Sequence, residues 1–260
     1  MFKLLFIGDI YGKPGRDYLT STLPKLISDL NVNFVIANGE NAAGGFGITP
    51  KVYKQILDSG VNLVTSGNHI DNKKEIYEIL NKQDSKLLRP FNFKQGKLPG
   101  KGFIELTDDI GNQLAIINMC GALFMKDTTS PFKEFDKIIH LLNKKNKIII
   151  VDFHAEATSE KTAVAYYLDG KISALIGTHT HVQTADERIL QGGTAYITDV
   201  GMTGPMDSII GCDTELSLKK FTQKGKFKCI PAKTQCMLNA VIVEIDNKSG
   251  KAISIKRINQ

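Results

Sequence analysis

Apolar residues in this chain gather in short runs that stop abruptly at glycine and polar residues. Residues 2–7, 32–37, 62–66, 147–153 and 172–177 each read as a buried strand, because runs of about four to eight apolar residues closed by turn formers are too short for helices. Between them, apolar positions recur at helical spacing. Leu19, Leu23, Leu26, Ile27 and Leu30 predict a helix over 16–30, with Pro24 as a kink. Thr49-Pro50 is an N-cap followed by proline at the first helical position, opening a helix to about Ser59. Further helices are predicted over 73–81, 132–142 and 159–168. Residues 102–107 and 113–119 predict a hairpin in a second sheet, and 240–245 with 252–258 an antiparallel pair near the C-terminus. Strands alternating with helices define an α/β protein. One domain over 1–260 is expected, with a small cap or rim around 72–102, where Arg89-Pro90 and Leu98-Pro99 interrupt the pattern.

The strand ends carry the chemistry. Residues 2–7 run into Gly8-Asp9, 32–37 into Asn38-Gly39-Glu40-Asn41, and 62–66 into Gly67-Asn68-His69. Later, 147–153 ends at His154, and 172–177 leads to His179-Thr180-His181. Open α/β sheets keep their sites at the carboxyl ends of strands. One Gly-Asn-His reads equally well as a turn, and one histidine is more often structural than a ligand. Four of the five histidines fall at such ends, however, and only His140 sits on a plain helix. The recurrence predicts a metal site.

Asn68 suits a cation whose charge is met by nearby carboxylates. His69, beside it, points elsewhere and faces a substrate rather than the same ion. Alternation on extended backbone predicts His179 and His181 on one side of their strand. Carboxylate, amide and imidazole together suit iron, manganese or zinc, and the ligand supply is comfortable for two ions sharing a carboxylate. Such a pair holds a bridging hydroxide and clamps the oxygens of an in-line displacement at phosphorus.

At 260 residues and 42% hydrophobic, the chain can bury a large core. A net charge of +6 suits an anionic substrate, and leaves RNA open as a partner, but the lysines are scattered apart from 144–147 and 219–228. The loop Gly8 to Gly15 fails as a phosphate-binding loop, since Pro14 stands where a hydroxyl should hold magnesium. Cys120, Cys212, Cys229 and Cys236 show no Cys-x-x-Cys spacing, so reduced, mostly buried thiols are expected. No apolar stretch is long enough to span a bilayer and the N-terminal run lacks a cleavage site, so a soluble cytoplasmic protein is expected, with no membrane partner.

Taken in order, Gly8-Asp9, Gly39-Glu40-Asn41, Gly67-Asn68-His69, His154 and Gly177-Thr178-His179-Thr180-His181 resemble the motifs of the calcineurin-like metallophosphoesterases. More narrowly, the stretch from Ala37 to Gly47 resembles the YmdB-like family of bacterial 2′,3′-cyclic-nucleotide 2′-phosphodiesterases. The resemblance implies a four-layer α/β/β/α sandwich with two metal ions, often iron. It implies that Asp9, Glu40, Asn41 and His181 hold one ion and Glu40, Asn68, His154 and His179 the other. Glu40 bridges the two in that scheme, and His69 gives a proton to the leaving oxygen. Tyr11 stands where the superfamily usually has histidine, Glu40 replaces its usual aspartate, and Ile70 follows His69 where an acidic residue is common. Asp71 is the nearest substitute for orienting His69.

The leading expectation is a dinuclear phosphodiesterase acting on a cyclic nucleotide or related small phosphodiester. A regulatory metal- or nucleotide-binding protein with residual phosphoesterase activity is the alternative, and a homo-oligomer is compatible with either. An amidohydrolase also uses His-x-His, but on an early barrel strand, whereas His179 and His181 come late.

Overall fold

In a computed structural model of the protein, which describes residues 1–94, 98–108, 110–142, 147–225 and 228–260, the apolar runs become the middle strands of two sheets. The chain opens with β1 (Phe2–Ile7), β2 (Asp9–Ile10), α1 (Gly12–Leu30), β3 (Phe34–Asn38), α2 (Pro50–Asp58) and β4 (Leu63–Thr65). Two 3₁₀ turns, Ile70–Asn72 and Lys74–Ile76, lead through α3 (Tyr77–Leu80) to β5 (Phe103–Thr107) and β6 (Gln113–Cys120). Then come α4 (Pro131–Leu142), β7 (Ile148–His154), α5 (Thr158–Leu168) and β8 (Ala174–Thr178). Short strands β9 (Arg188–Ile189), β10 (Ala195–Ile197) and β11 (Met202–Pro205) precede α6 (Thr214–Thr222), β12 (Cys236–Ile245) and β13 (Ala252–Asn259).

The first sheet runs β2-β11-β12-β1-β3-β4, with β13 also on β12, and the second β5-β6-β7-β8-β10-β9. In the first, β1, β3 and β4 are parallel, and β1 pairs antiparallel with β12 on its other side. In the second, β6, β7, β8 and β10 are parallel. Successive side chains of β1 point opposite ways, and both ways are dry. Leu5 and Ile7 join a cluster with Leu19, Leu23 and Leu26 of α1, while Phe2, Leu4 and Phe6 join one containing Ile116, Ile150 and Ile176 of the second sheet. A third cluster packs Ile117, Val151 and Leu175 against Phe135 and Ile138 of α4 and Val164 of α5. This is a mixed α/β protein of two sheets with helices.

Several boundaries differ from the periodicity. Helix α1 begins at Gly12 and runs through Pro24; Pro14, in the first turn, gives up a donor that would have lacked a helical acceptor there. It ends at Asn31 in the left-handed conformation (φ 52°), the usual C-terminal device. The helix expected over 73–81 shrinks to one α-turn because a 3₁₀ hydrogen bond, Ile76 N to Lys73 O (3.0 Å), occupies its first half. Thr49 caps α2 as expected, its Oγ1 accepting from Val52 N at 3.3 Å. Helix α6, capped by Asp213, gave no periodic signal because only Ser217 of its residues is buried.

The expectation of four reduced cysteines is corrected: Cys212 and Cys229 form a disulfide, with Cα atoms 5.6 Å apart. Pairing of Cys212 with Pro231 brings the two segments together, a proximity that a sequence separation of 17 does not advertise. Cys120 and Cys236 are free thiols. Residues 144–146 and 226–227 of the lysine runs, Asp109 of the hairpin turn and residues 95–97 of the rim lie outside the described residues. No helix among the described residues is long and apolar enough to cross a membrane.

Candidate metal centre

The carboxyl ends of the parallel strands of both sheets meet. From the first sheet come Asp9, following β1, Glu40 and Asn41, following β3, and Asn68 and His69, following β4; from the second come His154, ending β7, and His179 and His181, following β8. The sheets touch through Glu40 Oε1, 3.2 Å from His154 Nε2, with both side chains buried. The same nitrogen lies 3.1 Å from Asn68 Oδ1 and 3.0 Å from His179 Nδ1. Gly67 permits this closeness, since a Cβ there would fall 2.2 Å from Glu40 Oε2 and 2.3 Å from His154 Nε2.

The other half of the site is built on Asp9, Asn41 and His181. Asn41 Nδ2 is 3.0 Å from His181 Nε2 and 3.1 Å from Glu40 Oε1. Asp9 Oδ2 accepts from the His179 backbone N–H at 3.2 Å. Asp9 Oδ1 is buried with no hydrogen-bond partner and lies 3.8 Å from His181 Nε2.

His179 and His181 do not share one side of an extended strand. Strand β8 stops at Thr178, and the two histidines take positive φ values of 106° and 67°, which turn His179 toward His154 and His181 toward Asn41. Such backbone costs about 1–3 kcal/mol per residue and persists only where surroundings enforce it. Here Asp9 holds the amide of His179, and Asp199 Oδ2 accepts from Thr180 N at 2.9 Å. Asp199 is paired in turn with Lys161 of α5 at 2.8 Å, both side chains wholly buried.

Neighbours fix which ring nitrogens face inward. His181 Nδ1 is 2.9 Å from the Ile210 carbonyl, and His179 Nε2 is 2.9 Å from Glu156. His154 Nδ1 is 2.9 Å from Thr178 Oγ1, which donates to Asp152 at 2.7 Å, and Asn38 donates to the other Asp152 oxygen at 3.0 Å. Carbonyl and carboxylate partners of this kind leave the opposite ring nitrogen free to ligate.

Without an ion, the same groups lean on one another. Burial acts to raise the Glu40 carboxyl, but His154, paired and hydrogen-bonded to it, outweighs burial and holds it at about 2. Burial opposes charge on His154, and Glu40 nevertheless lifts it to about 9. Burial, and then the neighbouring His154, push His179 down to about 3. Burial raises Asp9 well above the usual carboxylate range. One proton on His154 Nε2 can serve only one of the three lone-pair atoms around it, and Asp9 Oδ1 has none. A cation satisfies that donor set, and an unpaired buried carboxylate is costly without one. Ligand atoms of Glu40, His154 and His179 lie within 4.8 Å of one another, a grouping that could hold a metal ion.

His69 stands at the edge. Its Nδ1 is 3.3 Å from Asn72 Nδ2, its Nε2 is 3.5 Å from Asn68 Nδ2, and its ring packs edge-on to Phe46 at 5.0 Å between centroids. Its backbone N–H donates to Glu40 Oε2 at 3.2 Å. The Asp71 carboxylate takes Lys74 and Tyr77, and Asn72 stands at Nδ1 of His69. Tyr11, at the superfamily's usual histidine position, packs against His181 with centroids 5.6 Å apart and touches both disulfide sulfurs.

Sequence reasoning missed Asp152, Glu156, Lys161, Thr178 and Asp199. Asp152 left a usable signal, a lone charge inside the apolar run 148–153; a buried lysine on a helix leaves none.

Two sheets whose carboxyl ends converge on carboxylate, amide and imidazole define the class, and residues 5–258 match the YmdB-like protein family, to which the chain belongs. Among curated proteins it is 46% identical, over 98% of its length and 96% of the relative's, to a 2′,3′-cyclic-nucleotide 2′-phosphodiesterase of Bacillus subtilis. Among solved structures it matches a hypothetical protein from Thermus thermophilus at 39% identity, TM-score 0.92, covering 100% of this chain and 99% of that one. It matches a novel phosphatase from Mycoplasma pneumoniae at 37% identity, TM-score 0.91, covering 100% and 93%.

Proposed function

We propose that this chain is a metal-dependent phosphodiesterase that opens 2′,3′-cyclic nucleotides, or related small phosphodiesters, at a two-metal site. The observation that carries the reading is the convergence of Glu40 and His154 from different sheets, with Asp9 Oδ1 buried and unpartnered beside them. Three apolar clusters, one between the sheets and one under each helical layer, support a single four-layer α/β/β/α sandwich over 1–260, with the segment within 72–102 as a rim.

Asp9, Glu40, Asn41 and His181 would hold one ion and Glu40, Asn68, His154 and His179 the other, with Glu40 common to both. The mixed oxygen and nitrogen donors suit iron, manganese or zinc, and the family resemblance favours iron. When bound, the ions would supply the positive charge that makes water nucleophilic at neutral pH and stabilises the phosphorane-like charge. The chain's own residues do the rest. His69 would give the departing 2′ oxygen the proton it needs as its bond to phosphorus breaks. Phe46 and Asn72 keep that ring at the edge of the site, where a substrate reaches it.

Elemental analysis of purified protein, paired with turnover of a 2′,3′-cyclic nucleotide and of a phosphomonoester, tests the reading. The expected result is two transition-metal ions per chain and preference for the cyclic diester. Trace metal in folded, metal-supplied protein would overturn it.

A further inference from the structure

A cleft of about 420 Å³ beside the metal centre is lined by Asn68 and His179, by Phe93, Leu98, Phe124 and Met125, and by four charged side chains. Its volume is that of a small-molecule site. Phe124 is 85% exposed and takes a left-handed backbone with φ 64°, so the ring leaves apolar area in water on backbone that is itself unfavourable.

The loop that presents it is tied down. Glu160 of α5, itself buried, accepts from Ala122 N and Leu123 N at 2.9 and 3.2 Å. Thr128 Oγ1 donates to the Gly121 carbonyl at 2.9 Å and closes the loop's base. Thr129 N donates to Asn92 O at 2.8 Å and Lys94 N to Asp127 O at 3.0 Å, which pin this loop to the segment carrying Phe93. These bonds hold the backbone that carries Phe93 and Phe124, both of which line the cleft together with two candidate metal ligands.

We propose that this cleft is a nucleobase subsite, in which Phe124 stacks on the base of a nucleotide whose phosphodiester sits at Asn68 and His179. The inference rests on the phosphodiesterase reading and names its substrate class: nucleotides rather than small phosphodiesters without a base. An occupant that extends from a phosphate held at the metal centre into this cleft meets charged side chains as well as an aromatic face, and a nucleobase offers both polar edges and a π-surface. Stacking is tolerant of base identity, so adenine and uracil nucleotides should differ less from each other than either does from a substrate with no base.

The test compares KM for 2′,3′-cyclic AMP with KM for the 2,3-cyclic phosphate of methyl riboside, which lacks the base, in wild type, Phe124→Ala and Phe124→Trp. The expected result is a lower KM for the nucleotide in wild type. In Phe124→Ala that advantage shrinks by about tenfold, in line with the loss of one base–aromatic stack, and in Phe124→Trp it returns. The chain contains no tryptophan, so Phe124→Trp also places a single tryptophan in the cleft, and adenosine 3′-monophosphate should quench its emission, excited selectively over tyrosine, with saturation. Equal KM values for both cyclic phosphates in wild type, or an unchanged ratio in Phe124→Ala, would overturn the subsite. Should wild type hydrolyse neither compound, the phosphodiesterase reading falls, and the fluorescence titration alone decides whether a base binds here: saturable quenching supports the subsite, and none overturns it.

Discussion

His69 is the residue where a structural and a catalytic role predict different numbers. It contributes no atom to the grouping of Glu40, His154 and His179, so His69→Ala should leave metal content unchanged. Turnover of a cyclic nucleotide should fall by about 100- to 10,000-fold, the range for loss of a general acid. A nitrophenyl ester, whose leaving group departs without a proton, should lose much less. Equal losses on both substrates, with metal reduced, would leave His69 as a brace for the turn after Asn68. At this scale the sequence was informative wherever a polar side chain ended a buried run, which covers Asp9, Glu40, Asn68, His154 and the pair His179 and His181. It misjudged how that pair is aimed, because positive φ at two histidines is imposed by Asp9 and Asp199, and neither contact can be read from neighbouring residues.

Among elements, the turn between β8 and the strands that follow it depends on a helix that contributes no ligand. Lys161 projects from α5 to Asp199, which holds the amide of Thr180 at 2.9 Å. Removing one partner of a buried pair strands the other charge. Lys161→Met is therefore expected to cost about 3–5 kcal/mol, measured by urea unfolding, and to weaken metal retention as His179 and His181 relax. Lys161→Met combined with Asp199→Asn should recover much of the stability; a single variant as stable as wild type would show that the pair does not brace the turn. The strongly apolar strands and the amphipathic helices were legible in the pattern. Helix α6, with one buried residue, and β11, held mainly by its partners in the sheet, were not, since their order comes from neighbours rather than from periodicity.

For the whole molecule, Glu40 is the point at which one sheet's chemistry meets the other's. Its Oε1 faces His154 and Asn41 while Oε2 accepts from His69 N, so its charge is within reach of both halves of the ligand set. Glu40→Gln should therefore lower metal content and turnover more than Asn41→Ala or His181→Ala, each of which touches one half. Near-normal metal and activity in Glu40→Gln would show that the two halves do not share it.

The pairing of β1 with β12, Phe2 opposite Ile245 and Ile7 opposite Ala240, also sets a schedule. During synthesis β1 emerges long before β12, one of its two neighbours. Until then its edge beside β3 can be satisfied, but the opposite edge offers unpaired backbone to whatever passes. A nascent chain that has passed His181 but not reached β12 thus holds all the candidate ligands and still lacks a finished first sheet, so maturation of the centre belongs to the interval after the β12–β13 pair is released.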